Sequence, residues 1–224
     1  MEGQALTDLP FIYEDNHLLV VDKPAGMLAQ ADLSGDLDVL TLAKQMIKQR
    51  DRKPGNVFLG LVHRLDRPVS GVMALAKTSK AASRLSAQFR EREPEKHYLA
   101  VIAGTPDPAQ GELRHFLCKD RAVRITRVVE SERDGKPALL RYELLDSRGP
   151  RALLRVLLVT GLPHQIRVQL SAAGHPIVGD SKYGSAERLV RGKLALHAAS
   201  LSLRHPVRNE TIEISADPPA HWPW

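Results

Sequence analysis

One cysteine, Cys118, is present among 224 residues. A lone thiol forms neither an internal disulfide nor a multi-cysteine zinc site, which fits a reducing compartment and sets redox chemistry aside. No run of about 18 apolar residues is there to cross a bilayer. The opening MEGQALTDLP has neither the basic nor the apolar region of a secretory signal, so a cytoplasmic protein with no membrane partner is expected. Aromatic residues are scarce at 4%, too few for an open platform that stacks many bases. Neither Gly-x-x-x-x-Gly-Lys nor Gly-x-Gly-x-x-Gly occurs, which disfavours nucleotide-dependent enzymes. Internal repeats, low-complexity tracts and long linkers are missing too. Residues 1–10 therefore read as an N-terminal extension and 11–224 as a single domain.

What is there suits a globular chain: 43% hydrophobic and 26% charged residues, at a length that buries a sizeable core. Lys and Arg number 32 against 26 Asp and Glu, a net charge of +6 that favours a polyanionic partner. Charge alone is equally compatible with solvated surface cations. With few aromatics, a nucleic acid would be recognised through shape and backbone. The sequence is silent on oligomeric state, and a monomer is the simpler expectation.

The pattern along the chain alternates short strands with a few helices. FIYEDNHLLVV reads as two apolar runs about a turn, broken by Lys23-Pro24-Ala25-Gly26. Asp38 caps a helix on which Val39, Ala43, Met46 and Ile47 recur at helical spacing up to Lys48-Gln49-Arg50. VFLGLVHRL and SGVMALAKT are β-rich runs on either side of Asp66-Arg67-Pro68, where the proline excludes a central strand. Thr78 or Ser79 caps a second helix with Ala82, Leu85 and Phe89 inward, closed by Pro94. Strands follow at HYLAVIAG, 113–118, 121–129, 139–146 and 152–160. Pro163 opens the helix HQIRVQLSAA with Ile166, Leu170 and Ala173 on one face, His164 and Arg167 on the other, and Gly174 as its stop. LALHAASLSL and TIEISA are the last strands, and PPAHWPW reads as irregular. Strands outnumber helices without regular βαβ alternation, so the expected class is α+β around a largely antiparallel sheet with flanking helices.

Two polar clusters could carry chemistry. His63-Arg64-Leu65-Asp66-Arg67 lies between apolar strands. By itself, an Asp beside Arg is more often a weak surface ion pair. Against that stands the rigid turn of Pro68, Ser70 and Gly71, which can hold one carboxylate at a fixed angle, with guanidinium groups favouring the ionised form that a nucleophile needs. Gly161-Leu162-Pro163-His164-Gln165-Ile166-Arg167 puts donors at a helix start, where the dipole favours an anion. An ordinary amphipathic helix explains that segment equally well. The clusters are far apart in sequence, and spacing does not show that they meet.

HRLDRPVSGVMALAKTSKAASRL resembles the central motif of the RluA-type pseudouridine synthases, usually His-Arg-Leu-Asp, two variable positions, then Thr-Ser-Gly. Upstream, Tyr13-Glu14-Asp15 and Val21-Asp22-Lys23-Pro24-Ala25-Gly26 resemble the opening strand and Lys-Pro-x-Gly turn of that family. Downstream, Lys96-His97-Tyr98-Leu99-Ala100 is similar to its tyrosine-bearing strand and GLPHQIRVQL to its Gly-Arg-Thr-His-Gln-Ile-Arg helix. Gly174-His175-Pro176-Ile177-Val178-Gly179-Asp180, Tyr183-Gly184, Leu196-His197-Ala198 and Arg204-His205-Pro206 follow in family order. Such agreement from about Phe11 to His205 is far more specific than one motif.

The resemblance implies the pseudouridine synthase fold, a mixed sheet with a central RNA-binding cleft. It implies RNA modification, isomerising a uridine of structured ribosomal or transfer RNA without cofactor or metal. Asp66 matches the essential aspartate, Tyr98 the tyrosine that packs on the target base, and Arg167 the arginine that pairs with the aspartate. Arg64 matches the arginine that enters the RNA as the uridine leaves its stack, and His63, Arg67, His164 and Gln165 are further RNA-binding candidates. Val69 stands where Thr is usual, and Leu162-Pro163 where Arg-Thr or Lys-Thr is usual, so one hydroxyl and one cation are missing. The ten residues before Phe11 are too few for a separate RNA-binding domain. Two rivals remain. A non-catalytic RNA binder on this fold would lose one of the three central residues, and all three are present. A metal hydrolase would draw on the nine histidines, whose spacings form no recognised ligand set such as His-Glu-x-x-His.

Overall fold

The structure is a computed structural model that describes residues 9–120, 122–123, 125–190 and 193–224. In chain order its strands are β1 (Phe11–Glu14), β2 (Leu18–Lys23), β3 (Gly60–Leu61), β4 (Ser70–Ala76), β5 (Glu95–Ala103), β6 (Gln110–Asp120), β7 (Ile125–Val129), β8 (Lys136–Arg148), β9 (Arg151–Leu158), β10 (Leu196–Arg204) and β11 (Thr211–Ser215). The helices are α1 (Val39–Arg50), α2 (Ser79–Glu91) and α3 (Gln165–Ala172), with a 3-10 turn at Ser181–Tyr183. The α+β class expected from the sequence is observed. The chain folds as two compact units, one of residues up to Pro94 with Ser200–Asp217, the other of Glu95–Ala199 with Pro218–Trp224.

In the first unit the strand order is β1-β2-β4-β10, with β3 on β4 and β11 on β10. The apolar runs of β2 and β4 pair antiparallel, Leu18 opposite Ala76 and Lys23 opposite Gly71. Their alternate residues Leu18, Val20, Val72 and Ala74 pack with Leu201 and Leu203 of β10 and with Ala81 and Leu85 of α2. The two strands are buried almost throughout, and the face formed by every second residue meets the helical stripe of α2. Each fully buried Leu or Val stabilises by about 1.5–3 kcal/mol, so this cluster anchors the unit. Asp38 caps α1 by accepting from Thr41 N, as expected, and Thr78 rather than Ser79 caps α2. Arg92 ends α2 in a left-handed conformation, two residues before Pro94. The buried face of α2 also carries Gln88, whose amide bonds both ways to the backbone of Arg204. Of VFLGLVHRL only Gly60–Leu61 is strand.

An acidic network closes the first unit. The buried His205 donates or shares a proton with Asp15 at 2.7 Å through Nε2, while its Nδ1 accepts from the backbone N–H groups of Val207 and Arg208. The Arg-His-Pro motif is therefore a clamp on the hairpin between β10 and β11. Burial pushes the Asp15 carboxyl up, but the backbone N–H groups of His17 and Leu18 and the His205 ring outweigh it and hold it down to about 2. Glu14 is held down to about 2, chiefly by the Arg50 guanidinium, against burial and with help from Lys77.

In the second unit β5, β9, β8, β6 and β7 follow one another as antiparallel neighbours. β6 and β8 are longer than the sequence pattern suggested. The expected strand over 121–129 is observed at Ile125–Val129; positions 121 and 124 lie outside the described residues. Helix α3 departs from its expected amphipathic form. Every residue from Gln165 to Leu170 is buried, including Arg167, because β6 and β7 contact it as well as the Ser181–Tyr183 turn. Val168 lies with Leu117, Ala138 and Tyr183 in a second apolar cluster, against which Leu162 packs. Among the described residues no helix is long and apolar enough to cross a membrane.

The depressed carboxyls fix the sign of an acid response. A group whose folded pKa lies below its unfolded value stabilises fully above the unfolded value and loses that contribution as pH falls through the folded one. Glu14 and Asp15 thus make the unfolding midpoint fall between about pH 4.5 and pH 2. Urea titrations across that range should show Glu14→Gln with a shallower decline than wild type.

Candidate active site

The carboxylate of Asp66 sits in a turn between β3 and β4. Val69 N donates to Asp66 O at 3.1 Å, and buried Leu65 and Val69 anchor the turn on either side. Apolar Val69 is only 3% exposed, so in place of the usual hydroxyl it supplies core packing. Asp66 itself is half-buried. Arg64 is exposed and makes no hydrogen bond or ion pair among the described residues. His63 faces inward instead: its Nε2 accepts from Ala74 N at 2.9 Å and its ring stacks on Phe89 at 4.5 Å.

The turn is braced from behind by Lys23, which sequence reasoning singled out only as part of a motif. This lysine is fully buried, and its ammonium donates to the carbonyls of Pro24 at 3.0 Å, Met27 at 2.8 Å and Arg67 at 3.1 Å. Burial lowers its pKa to about 7, and Asp66 acts in the opposite direction. Arg67 and Gly26 bond reciprocally, Gly26 N to Arg67 O at 2.7 Å and Arg67 Nε to Gly26 O at 3.0 Å. Gly26 has a φ of 95°, which a side chain would strain. The remaining reach of Arg67 goes to an exposed ion pair with Asp36 at 2.8 Å. Lys23, Gly26 and Arg67 together leave little freedom for the main chain beside Asp66.

The second cluster is a buried polar framework around α3. Arg167 makes a two-pronged ion pair with Asp180, Nε to Oδ2 at 2.6 Å and Nη2 to Oδ1 at 2.8 Å, and its guanidinium lies 5.0 Å above the Tyr183 ring. Gly179, beside Asp180, has a φ of 89°, and a Cβ there would lie 2.6 Å from the carbonyl of Lys193. Gln165 is turned inward. Its Oε1 accepts from Thr160 and Leu162 N, and its Nε2 donates to Leu139 O and Gln169. Its amide is thereby spent on the loop before α3, which corrects the expectation of an exposed polar face. His164 is half-buried, adopts a left-handed φ of 56°, and bonds to Tyr183 Oη. Tyr98, on β5 opposite Val156, is 8% exposed. Asp180 and Tyr183 were not foreseen as functional, although both stand in blocks that carry the family resemblance. Among the described residues no three His, Cys, Asp or Glu side chains stand where they could share a metal ion.

Comparison with known proteins gives these features a context. The family model described as RNA pseudouridylate synthase matches residues 17–172. This chain belongs to that family. It is 38% identical over 210 residues to the dual-specificity RNA pseudouridine synthase RluA of Escherichia coli, covering 93% of this chain and 92% of that protein. Ribosomal large subunit pseudouridine synthase C of Vibrio cholerae is 33% identical over 216 residues, 94% of this chain and 66% of that one. Among solved structures, human RNA pseudouridylate synthase domain containing 4 superposes with a TM-score of 0.79 at 26% identity, covering 95% of this chain and 90% of its own. The protein is thus an RluA-type RNA pseudouridine synthase, an isomerase that acts on RNA, with the pseudouridine synthase fold.

Removing the ammonium of Lys23 takes a donor from three carbonyls; Arg67 O keeps Gly26 N and Pro24 O keeps Met27 N, while the Met27 carbonyl loses its one donor among the described residues. Lys23→Met should lower stability by about 2–4 kcal/mol, read as a shift in the urea midpoint at unchanged slope. A variant as stable as wild type would mean that the carbonyls find other donors.

Proposed function

We propose that the protein converts a specific uridine in ribosomal or transfer RNA to pseudouridine with Asp66 as nucleophile, without a cofactor, in the cytoplasm. The observation that carries this reading is the Asp66 turn, whose backbone is fixed from behind by Lys23 and Gly26 and whose neighbour Arg64 is exposed and uncommitted among the described residues. A nucleophilic carboxylate has to be ionised and aimed, and a rigid turn supplies the aim. The names of the relatives, dual-specificity RNA and ribosomal large subunit, support ribosomal RNA and more than one target as the substrate class.

The reaction detaches the base from the ribose, turns it and rejoins it through carbon. Asp66 attacks the target nucleoside, the glycosidic bond breaks, and a proton must leave the new carbon linkage. Tyr98 packs on the base and assists that proton transfer. Arg167, held by Asp180, is on this reading the arginine that the family resemblance assigns to the aspartate. The uridine is first flipped from its stack, and Arg64 fills the gap. The catalytic domain on this reading is 11–224, preceded by a short extension. Arg67 and His164 border the RNA, whereas the inward-facing ring of His63 and the buried amide of Gln165 serve the protein.

Pseudouridine mapping of total RNA from cells with and without the gene tests the reading and identifies the site. Asp66→Asn keeps the shape and removes the charge, so it should bind RNA as wild type does while turning over at less than about one per cent of its rate. Higher residual activity would count against the nucleophile.

Arg64→Ala should weaken binding to a folded stem-loop and reduce the slope of log affinity against log salt by about one. The loss should shrink on a short single-stranded RNA, where the uridine is already unstacked. Equal losses on both RNAs would remove Arg64 from base flipping.

A further inference from the structure

Helix α1 ends against two local rules at once. Its last turn closes with Lys53 N donating to Lys48 O at 3.1 Å and Arg52 N to Gln49 O at 3.3 Å, which takes the chain through Arg52 at a left-handed φ of 50°. Glycine takes this conformation without strain. The chain uses it at the end of α3, where His175 N and Gly174 N donate in the same pattern and Gly174 has a φ of 86°. At α1 an arginine stands there instead. Its exposed guanidinium has no partner among the described residues.

The second departure is charge. Lys44 and Lys48 stand one turn apart, where like charges repel. The helix sequence VLTLAKQMIKQR contains no carboxylate to relieve them, and neither ammonium has a partner among the described residues. Cations complement the dipole at a helix C-terminus, which accounts for Lys48 and Arg50 but not for a strained Arg52. Arg50 is committed to Glu14 and Asp51, and Lys53 reaches Asp51 only at 3.6 Å. Lys44, Lys48, Arg52 and Lys53 therefore gather a positive field. Arg92, left-handed at the end of α2, differs because Glu91 and Glu93 flank it and balance its charge.

The helix is anchored beside the Asp66 turn. Val39 N donates to Leu28 O at 2.9 Å and Leu40 N to Ala29 O at 3.3 Å, next to Met27, whose carbonyl Lys23 holds together with that of Arg67. From there its 12 residues carry the cations about 18 Å along. The apolar face of Val39, Leu42, Ala43 and Ile47 is buried in the protein. What α1 exposes is Thr41, Gln45, Lys48 and Gln49, a surface for phosphates and not for the apolar layer of a membrane.

We propose that the C-terminal end of α1, through Lys44, Lys48, Arg52 and Lys53, holds backbone phosphates of the substrate RNA away from the uridine that reacts at Asp66. The proposal rests on the reaction given above. Phosphate contacts fix register without reading bases. A helix that begins at the reacting turn and ends on a cation cluster holds a folded RNA at a second point.

Arg52→Gly separates this role from a structural one. Relief of the left-handed strain should leave the urea midpoint as high as in wild type or higher. Affinity for bulk ribosomal RNA at low salt should nevertheless fall about fivefold, and the slope of log affinity against log salt should flatten by about one. Adding Lys44→Gln and Lys48→Gln should bring the flattening to about two to three. Arg92→Gly removes the same charge from the same backbone conformation on α2 and should change the affinity little. Unchanged RNA affinity in Arg52→Gly, a lowered urea midpoint, an equal loss in Arg92→Gly, or tighter binding of the wild type to vesicles of anionic phospholipid than to RNA would each overturn the proposal. Wild-type protein that binds the ribosomal RNA but forms no pseudouridine in it would count against the reaction at Asp66 and leave these contrasts in affinity in place.

Discussion

An ammonium group buried among main-chain carbonyls is the contact on which the Asp66 turn depends. Lys23 ends β2, and its Nζ gathers the carbonyls of Pro24, Met27 and Arg67 around one charge. Burying a cation is costly, and the cost is offset only when its donors are used. Three carbonyls use them all. The consequence is rigidity at Arg67, and hence at its neighbour Asp66, from a residue distant in sequence. Only a donor with three protons and a long stem satisfies this geometry. A shortened or neutral replacement would free the loop and the turn together.

The second unit solves a similar problem with side-chain amides. Gln165 and Gln169 bond to each other and to the carbonyls of Leu139 and Leu113, so the start of α3 is tied to the sheet by hydrogen bonds as well as by the apolar contact of Val168. Buried polar groups of this kind specify one arrangement when all are paired and destabilise when one is not. Arg167 follows the same rule: Asp180 takes two of its donors and Tyr183 covers its face. Guanidinium orientation is set before any substrate arrives, which is the form of pre-organisation that makes charge effective in a reaction.

Much of this was legible in the sequence, and the reasons are specific. β2, β4 and the caps at Asp38 and Thr78 follow from local pattern, where apolar period and capping chemistry act over a few residues. α3 misled because helical period assigns faces on the assumption of one buried side. Elements from both β6–β7 and the Ser181–Tyr183 turn contact it, so its polar residues are inside and paired. The roles of Lys23, Asp180 and Tyr183 were hidden for a related reason. Each acts through partners that only tertiary structure supplies, such as Arg67 for Lys23 and Thr126 for Tyr183. Motif resemblance marked the blocks that contain them without giving their contacts.

The two departures from the resembled motifs also acquire a physical meaning. Val69 is buried beside Asp66, so a hydroxyl there would need an internal partner, and valine removes that need. Leu162 packs against the cluster of Leu117, Ala138, Val168 and Tyr183, a place where an arginine stem would have to run outward to keep its charge in water. Both replacements exchange a polar contact for apolar burial. The resembled motif carries a cation at position 162, and this chain has leucine there. Arg64 has the required exposure, while Arg167 is committed to Asp180 inside the protein. On the function proposed above, Arg64 rather than Arg167 is the arginine of these two that is placed to meet RNA.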